Sequence, residues 1–240
     1  MKIPKRTLRS GGIQGSRATR WIFVGPAMLV VICLLIYPLL STLMYSFTNK
    51  TMIRNDFDVV GLQNYIDILT DGDFYSAFGH TLLWTLFSVL GQLIVGFIGA
   101  LALNRVQNKV AKNLFRIFAI IPWAFPAIAT AMTWKWLLNG IHGFVPTLLR
   151  DLGITPELIQ FLSDKNLVLP TLIFINIWFG APLILVNVYA ALQTIPQDQY
   201  EAAQIDGASS WQSFRYVTAP HIRTVVGQLV VLRTVWVFNN

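Results

Sequence analysis

Charged residues are scarce in this chain of 240 residues. Asp, Glu, Lys and Arg together make up 12% of it, about half the share that a soluble domain carries, while hydrophobic residues make up 55%. No charge occurs in 21–49, 74–104, 117–134 or 166–197, and each stretch has, or nearly has, the roughly 20 apolar residues of a spanning helix. The composition therefore excludes an ordinary soluble domain and predicts a polytopic membrane protein.

Motifs of catalysis and of cofactor binding are also missing. The sequence has no G-x-x-x-x-G-K-[ST] phosphate loop, no H-E-x-x-H zinc motif and no G-x-S-x-G nucleophile elbow. Its single cysteine, Cys33, can form no internal disulfide, and His80, His142 and His221 lie in different segments. We therefore expect a chain that is not an enzyme, with no catalytic residue, no metal site and no cofactor of its own.

Hydropathy divides the chain into a basic tail at 1–20 and a membrane domain at 21–240. The predicted fold class is all-α, with about five transmembrane helices at about 21–46, 79–104, 115–137, 167–193 and 221–240. The last of these contains Arg233, whose charge would be costly in lipid. Two interpretations of Arg233 stay open: an interfacial anchor, or a functional group that faces a protein or water interior.

The distribution of Lys and Arg predicts the orientation of the spans. The tail at 1–20 carries six basic residues and the loop at 105–116 carries four, both without an acid. The loop at 46–79 has two basic residues against five aspartates. Because basic loops stay in the cytoplasm, we expect a cytoplasmic N-terminus and a cytoplasmic loop at 194–220. The net charge of +7 then reflects topology, and no nucleic acid partner is expected.

The loop at 194–220 contains a polar, helix-like insert. Pro196 suits the first turn of a helix, and Gly207 can take the left-handed conformation that ends one. Ser209 followed by Gln212 is a capping-box pattern for a second short helix, which Pro220 would stop. We expect two short helices bent at Gly207. From the residues alone, a docking element for a partner and a plain connector between spans are both open.

The insert EAAQIDGASSWQSFRYVTAP, residues 201–220, resembles the EAA motif of permease subunits in bacterial ATP-binding-cassette importers. Departures from the family pattern are Ala219 and His221, where leucine is usual. In that family the motif sits in a cleft on the ATPase subunit, so the resemblance implies a pairing role for Glu201 and the bend for Gly207. The coupling residues it implies are Glu201, Ala202, Ala203, Asp206, Gly207, Ala208 and Pro220.

Three further segments resemble sugar permeases of the maltose-transporter type, and the resemblance covers 20–240. They are VGLQNYIDILTDGDFYSAFGHTLLWT, NIWFGAPLILVNVYAALQTIP and VLRTVWVFNN. The resemblance implies a subunit for uptake of a sugar or oligosaccharide across the bacterial inner membrane. Its partners would be membrane lipid, a second permease, two ATPase subunits that bind ATP and Mg, and an extracytoplasmic solute-binding protein. An importer of another polar solute, such as a glycerol phosphate ester, stays open.

The resemblance also implies a substrate path along Asn176, Phe179, Gly180, Leu183 and Asn240. The alternative for each asparagine is an interhelical hydrogen bond. A stand-alone channel or secondary transporter would need coupling acids within the spans, and the four charge-free stretches have none. The family continues past Asn240 with the rest of the fifth span and a sixth helix. We therefore expect a truncated permease, and a non-functional product is an alternative.

Overall fold

The computed structural model describes residues 17–51 and 57–239. The tail before Arg17 and the predicted path residue Asn240 lie outside the described residues. Within the described ranges the chain is helical, and its only extended pairing is an isolated bridge between Thr48 and Val59. The predicted all-α membrane fold is confirmed, with four to five helices long and apolar enough to cross a membrane.

The chain forms two compact units, with the boundary between Tyr75 and Ser76. The first begins with α1 (Arg17–Val31), which runs through a π-turn (Ile32–Ile36) into α2 (Tyr37–Tyr45). The π-turn ends just before Pro38, whose ring would clash with a carbonyl of a regular α-turn. None of the apolar window of this long helix is buried within the residues that the structure describes.

The first unit ends with α3 (Gln63–Thr70). Asn64 anchors this short helix because its Nδ2 donates to the backbone oxygens of Ser46 and Thr48, both at 2.9 Å. The hydroxyl of Tyr65 lies 2.7 Å from Ser46 Oγ. These bonds give a structural reason for an asparagine and a tyrosine at the start of this helix.

The second unit is built around most of α4 (Gly72–Arg105), α8 (Val168–Gln193) and α11 (Ala219–Phe238). At Gly96 the backbone of α4 lies so close to α8 that a Cβ there would be 2.7 Å from the Ala181 oxygen, as expected for small residues between membrane helices. One apolar core joins the three helices. It includes Ala100, Leu103, Ile184, Val188, Ile222 and Leu229.

The third predicted span, 115–137, is two helices. They are α5 (Lys109–Ala124) and α6 (Ala127–Leu137), bent by 94°. The break falls at Phe125, which is extended (φ −84°, ψ 143°) because the proline that follows it disfavours the helical conformation. The sequence prediction treated 115–137 as one helix and missed this break, although Pro126 is a possible signal for it. A short helix, α7 (Phe144–Asp151), follows before α8.

Candidate functional site

The first candidate site is the exposed loop, residues 194–220. Its first helix, α9 (Gln197–Ile205), begins after Pro196 and has Asp198 in its first turn, where a carboxylate complements the helix dipole. Glu201 and Ala202 are exposed on this helix, and Ala203 is half-buried. The predicted first helix is confirmed.

Gly207 ends α9 in the left-handed conformation, with φ +75°. The amide of Gly207 donates to the Gln204 oxygen at 3.0 Å, and the amide of Ala208 donates to the Ala203 oxygen at 2.9 Å. These two bonds form a Schellman motif, which pairs carbonyls that the helix end would leave free. A Cβ at Gly207 would meet no atom within 4 Å, so the need for glycine is set by the backbone conformation alone.

The second helix of the loop, α10 (Ser210–Ser213), starts with the predicted capping box. The Ser209 amide donates to Gln212 Oε1 at 2.7 Å, and the Gln212 amide donates to Ser209 Oγ at 3.3 Å. The prediction that Pro220 stops this helix was wrong, because the chain stays helical over Ser210–Phe238. A π-turn (Phe214–Thr218) precedes the proline, and its wider spacing accommodates the proline ring.

Side chains of the loop also tie it to the membrane helices. The hydroxyl of Tyr200, on α9, lies 2.8 Å from Thr218 Oγ1, which is buried. The ring of Phe214 meets Phe97 of α4 edge to face, with centroids 6.1 Å apart. The loop is therefore held against α4 and leads directly into α11.

The outer surface of the loop is exposed. Asp206, Gly207 and Pro220 are exposed, and Ala208 is half-buried. Ile205 is 86% exposed and Trp211 67% exposed, although large apolar side chains are usually covered in a finished assembly. Sequence reasoning did not single out Ile205, whose only signal is its position beside the helix end.

The second candidate site is a buried polar cluster formed by three helices. Arg233 of α11 is 6% exposed, and its Nε donates to Gln92 Oε1 of α4 at 2.6 Å. Gln92 is fully buried, and its Nε2 donates to Asn176 Oδ1 of α8 at 2.7 Å. Because a guanidinium only donates, it fixes the orientation of the Gln92 amide, which in turn fixes that of Asn176. Arg233 faces the protein interior, which favours the second of its two interpretations.

Gly180 allows this cluster to form. A Cβ at this position would lie 2.5 Å from both Arg233 Nη2 and Gln92 Nε2, closer than any real Cβ contact. Gly180 and Asn176 lie one turn apart on α8 and contact the same glutamine, as their spacing predicted. Asn176 and Gly180 were predicted from the sequence, but Gln92 was not, and its only signal is an amide side chain in the apolar middle of α4.

The cluster borders an open cleft of about 630 Å³. Asn176 and Phe179 line it together with Arg233. Leu183 is not among the described lining residues, and its backbone oxygen accepts from Asn187 Nδ2 at 2.8 Å. Of the predicted path residues that the structure describes, Asn176, Phe179 and Gly180 are thus brought to one place, while Leu183 is not.

The fold and the two sites define a polytopic membrane protein with a buried polar cluster beside an open cleft and with an exposed helical loop. Over residues 92–240 the chain matches the family described as binding-protein-dependent transport system inner membrane component. The chain belongs to this family. The matched residues include the exposed loop, all of α5, α6, α8 and α11, and the part of α4 that begins at Gln92.

Two curated relatives are sugar permeases. The maltodextrin transport system permease protein MalC of Streptococcus pneumoniae is 33% identical over 236 residues, which cover 92% of this chain and 54% of that protein. The trehalose/maltose transport system permease protein MalF of Thermococcus litoralis is 30% identical over 215 residues, covering 90% and 72%. The chain thus spans about half the length of MalC.

Two solved structures share the fold. One is a bacterial ABC transporter involved in the import of the acidic polysaccharide alginate, with a TM-score of 0.76 and 23% identity over 89% of this chain and 71% of that one. The other is the alginate transporter in complex with a periplasmic protein bound to an alginate pentasaccharide, with a TM-score of 0.77 and 22% identity over 89% and 70%.

Proposed function

We propose that the chain is a permease subunit of an ATP-driven, binding-protein-dependent importer and forms half of the translocation path for a sugar or oligosaccharide. The observation that carries the proposal is the connection between the two sites. The loop is continuous with α8, which carries Asn176, and with α11, which carries Arg233. A force on the loop would therefore reach two of the helices that border the cleft.

The loop is the docking element for a separate ATPase in this proposal. Glu201 is exposed and makes no ion pair within the described residues, so its carboxylate is available to a basic residue of a partner. Exposed Ile205 and Trp211 supply apolar area beside it, which suits a protein interface. ATP and Mg bind to that partner, and a second permease and an extracytoplasmic binding protein complete the importer.

The orientation and the substrate class follow from the same proposal. The loop faces the cytoplasm, where ATP is available, and the charge distribution of the loops agrees with that orientation. The names of the relatives refer to maltodextrin, trehalose, maltose and alginate. We infer a sugar or oligosaccharide as the substrate of this chain.

Co-purification tests the proposal. The chain is expressed with its candidate second permease and ATPase, as wild type, as Glu201→Lys and as Glu157→Lys. Glu157 is also exposed but lies outside the loop, so its variant controls for charge reversal. We expect wild type and Glu157→Lys to retain the ATPase and Glu201→Lys to lose most of it. Equal retention by all three would contradict the docking role.

A further inference from the structure

The cluster leaves a buried positive charge without an acidic partner. Arg233 has no carboxylate within ion-pair distance in the part of the chain that the structure describes, and the only hydrogen bond it makes there is the one from Nε to Gln92. A neutral amide compensates a buried charge only in part, and an unpaired buried charge is strongly unfavourable. The guanidinium therefore has spare donors and excess charge at the wall of the cleft.

The direction of the hydrogen bonds leaves the cluster with free donor groups. Arg233 donates to Gln92, and Gln92 donates to the side-chain oxygen of Asn176. The side-chain oxygen of each amide already accepts one of these bonds, while Asn176 Nδ2 remains a free donor. The strongest unused groups next to the cleft are therefore the remaining N–H groups of the Arg233 guanidinium, which suit a ligand rich in acceptor oxygens.

A second polar side chain lies beside the same cleft. Thr130, on α6, is 9% exposed, and its Oγ1 is buried without a hydrogen-bond partner in the described residues. Thr130 lines the cleft. Buried hydroxyls are nearly always hydrogen-bonded, so Thr130 is a polar group beside the cleft whose hydrogen-bonding capacity is unused within the described residues.

The remaining walls suit a sugar ring. Trp84, Trp123 and Trp236 line the cleft, and the Trp236 ring lies 5.8 Å from the Arg233 guanidinium carbon. Asn239 uses its Nδ2 on the Val235 oxygen at 2.7 Å, so its side-chain oxygen can accept from a hydroxyl. Aromatic walls with a few convergent polar groups are typical of small-molecule sites.

We propose that the cleft takes an acidic sugar, whose carboxylate pairs with the Arg233 guanidinium while its ring lies against the tryptophans. This assignment rests on the proposed importer function and narrows its substrate class from sugars to sugar acids. Gln92 is a positioning residue in this arrangement, because it holds the guanidinium at the wall and orients the Asn176 amide. Gly180 provides the space that both need.

The test measures binding of matched sugar pairs to the importer purified with its partner subunits. Each pair is a disaccharide of glucose, galactose or mannose and the corresponding uronic acid, which differ only in a hydroxymethyl or a carboxylate on C5. We expect at least one acid to bind about tenfold tighter than its neutral counterpart. Arg233→Gln should abolish that advantage, and Arg223→Gln, an exposed position on the same helix, should keep it.

A second variant separates the charge from any loss of folding. Gln92→Glu places a fixed carboxylate beside Arg233, so the acid should lose its advantage although the arginine is still present. Equal binding of acid and neutral sugars by the wild type, for instance because a partner subunit supplies a carboxylate, would overturn the inference. So would an advantage that persists in Arg233→Gln. An importer that still assembles and takes up neutral sugar would keep the proposed function and lose only this inference.

Discussion

Gly180 lies where α8 approaches Gln92 and Arg233, and any side chain there would occupy the space of their polar groups. Its importance comes from three-dimensional packing, because its own backbone is ordinary helix. Close-packed interiors respond to a single added methyl group by shifting side chains. At this position the side chains that shift are those of the polar cluster.

Gly180→Ala is expected to destabilise the protein by about 1–3 kcal/mol through overpacking and to separate Arg233 from Gln92. The measurement is the thermal unfolding midpoint in detergent, combined with uptake by the assembled importer. Gly227→Ala is the matched control, since a Cβ at Gly227 on α11 meets nothing within 4 Å and should be neutral. If the two variants had equal midpoints, the close approach at Gly180 would be refuted.

The polar cluster shows which residues sequence reasoning can find. Asn176 and Gly180 were predicted because a family segment surrounds them and their spacing places them on one face. The bond between Arg233 and Gln92 joins positions 141 apart, and no local pattern predicts such a pair. The sequence alone therefore leaves two interpretations of Arg233 open, and its burial is the observation that bears on them.

At the scale of elements, the exposed loop follows local rules closely. The end of α9 at Gly207 and the capping box at Ser209 both depend on residues within a few positions, and both were predicted. Pro220 misled the prediction because a proline usually ends a helix. The π-turn before this proline keeps the chain helical, and no sequence pattern predicts it. The break at Pro126 was missed for the opposite reason, since membrane helices often tolerate proline.

Gly207→Ala is expected to weaken the end of α9 by about 1 kcal/mol, because a Cβ disfavours the left-handed conformation. The measurement is hydrogen–deuterium exchange at the amides of Gly207 and Ala208, which should become about fivefold faster in the variant. Gly153 has φ +72° outside the loop, so Gly153→Ala should leave these amides unchanged. Wild-type exchange in Gly207→Ala would contradict the role of the Schellman motif.

At the scale of the whole molecule, the proposed function requires one orientation in the membrane. With Cys33 replaced by Ser, a single cysteine is introduced as Glu157→Cys or as Gln204→Cys, both at exposed positions. In intact spheroplasts a membrane-impermeant maleimide should label residue 157 at once and residue 204 only after the membrane is permeabilised. The reverse order of labelling would overturn the orientation predicted from the basic loops.

The proposed importer function depends on mechanical coupling between the loop and the cleft. The most direct measurement is uptake of labelled oligosaccharide into proteoliposomes that contain the assembled importer, with ATP on the side of the ATPase. Wild type and Glu157→Lys should both transport in an ATP-dependent way. We expect Glu201→Lys to lower uptake by about tenfold or more, since losing one partner of a buried interfacial charge pair typically costs about 2–5 kcal/mol and the lysine would also repel a basic partner residue. Wild-type uptake in Glu201→Lys would contradict the central claim that this loop transmits the force of ATP hydrolysis.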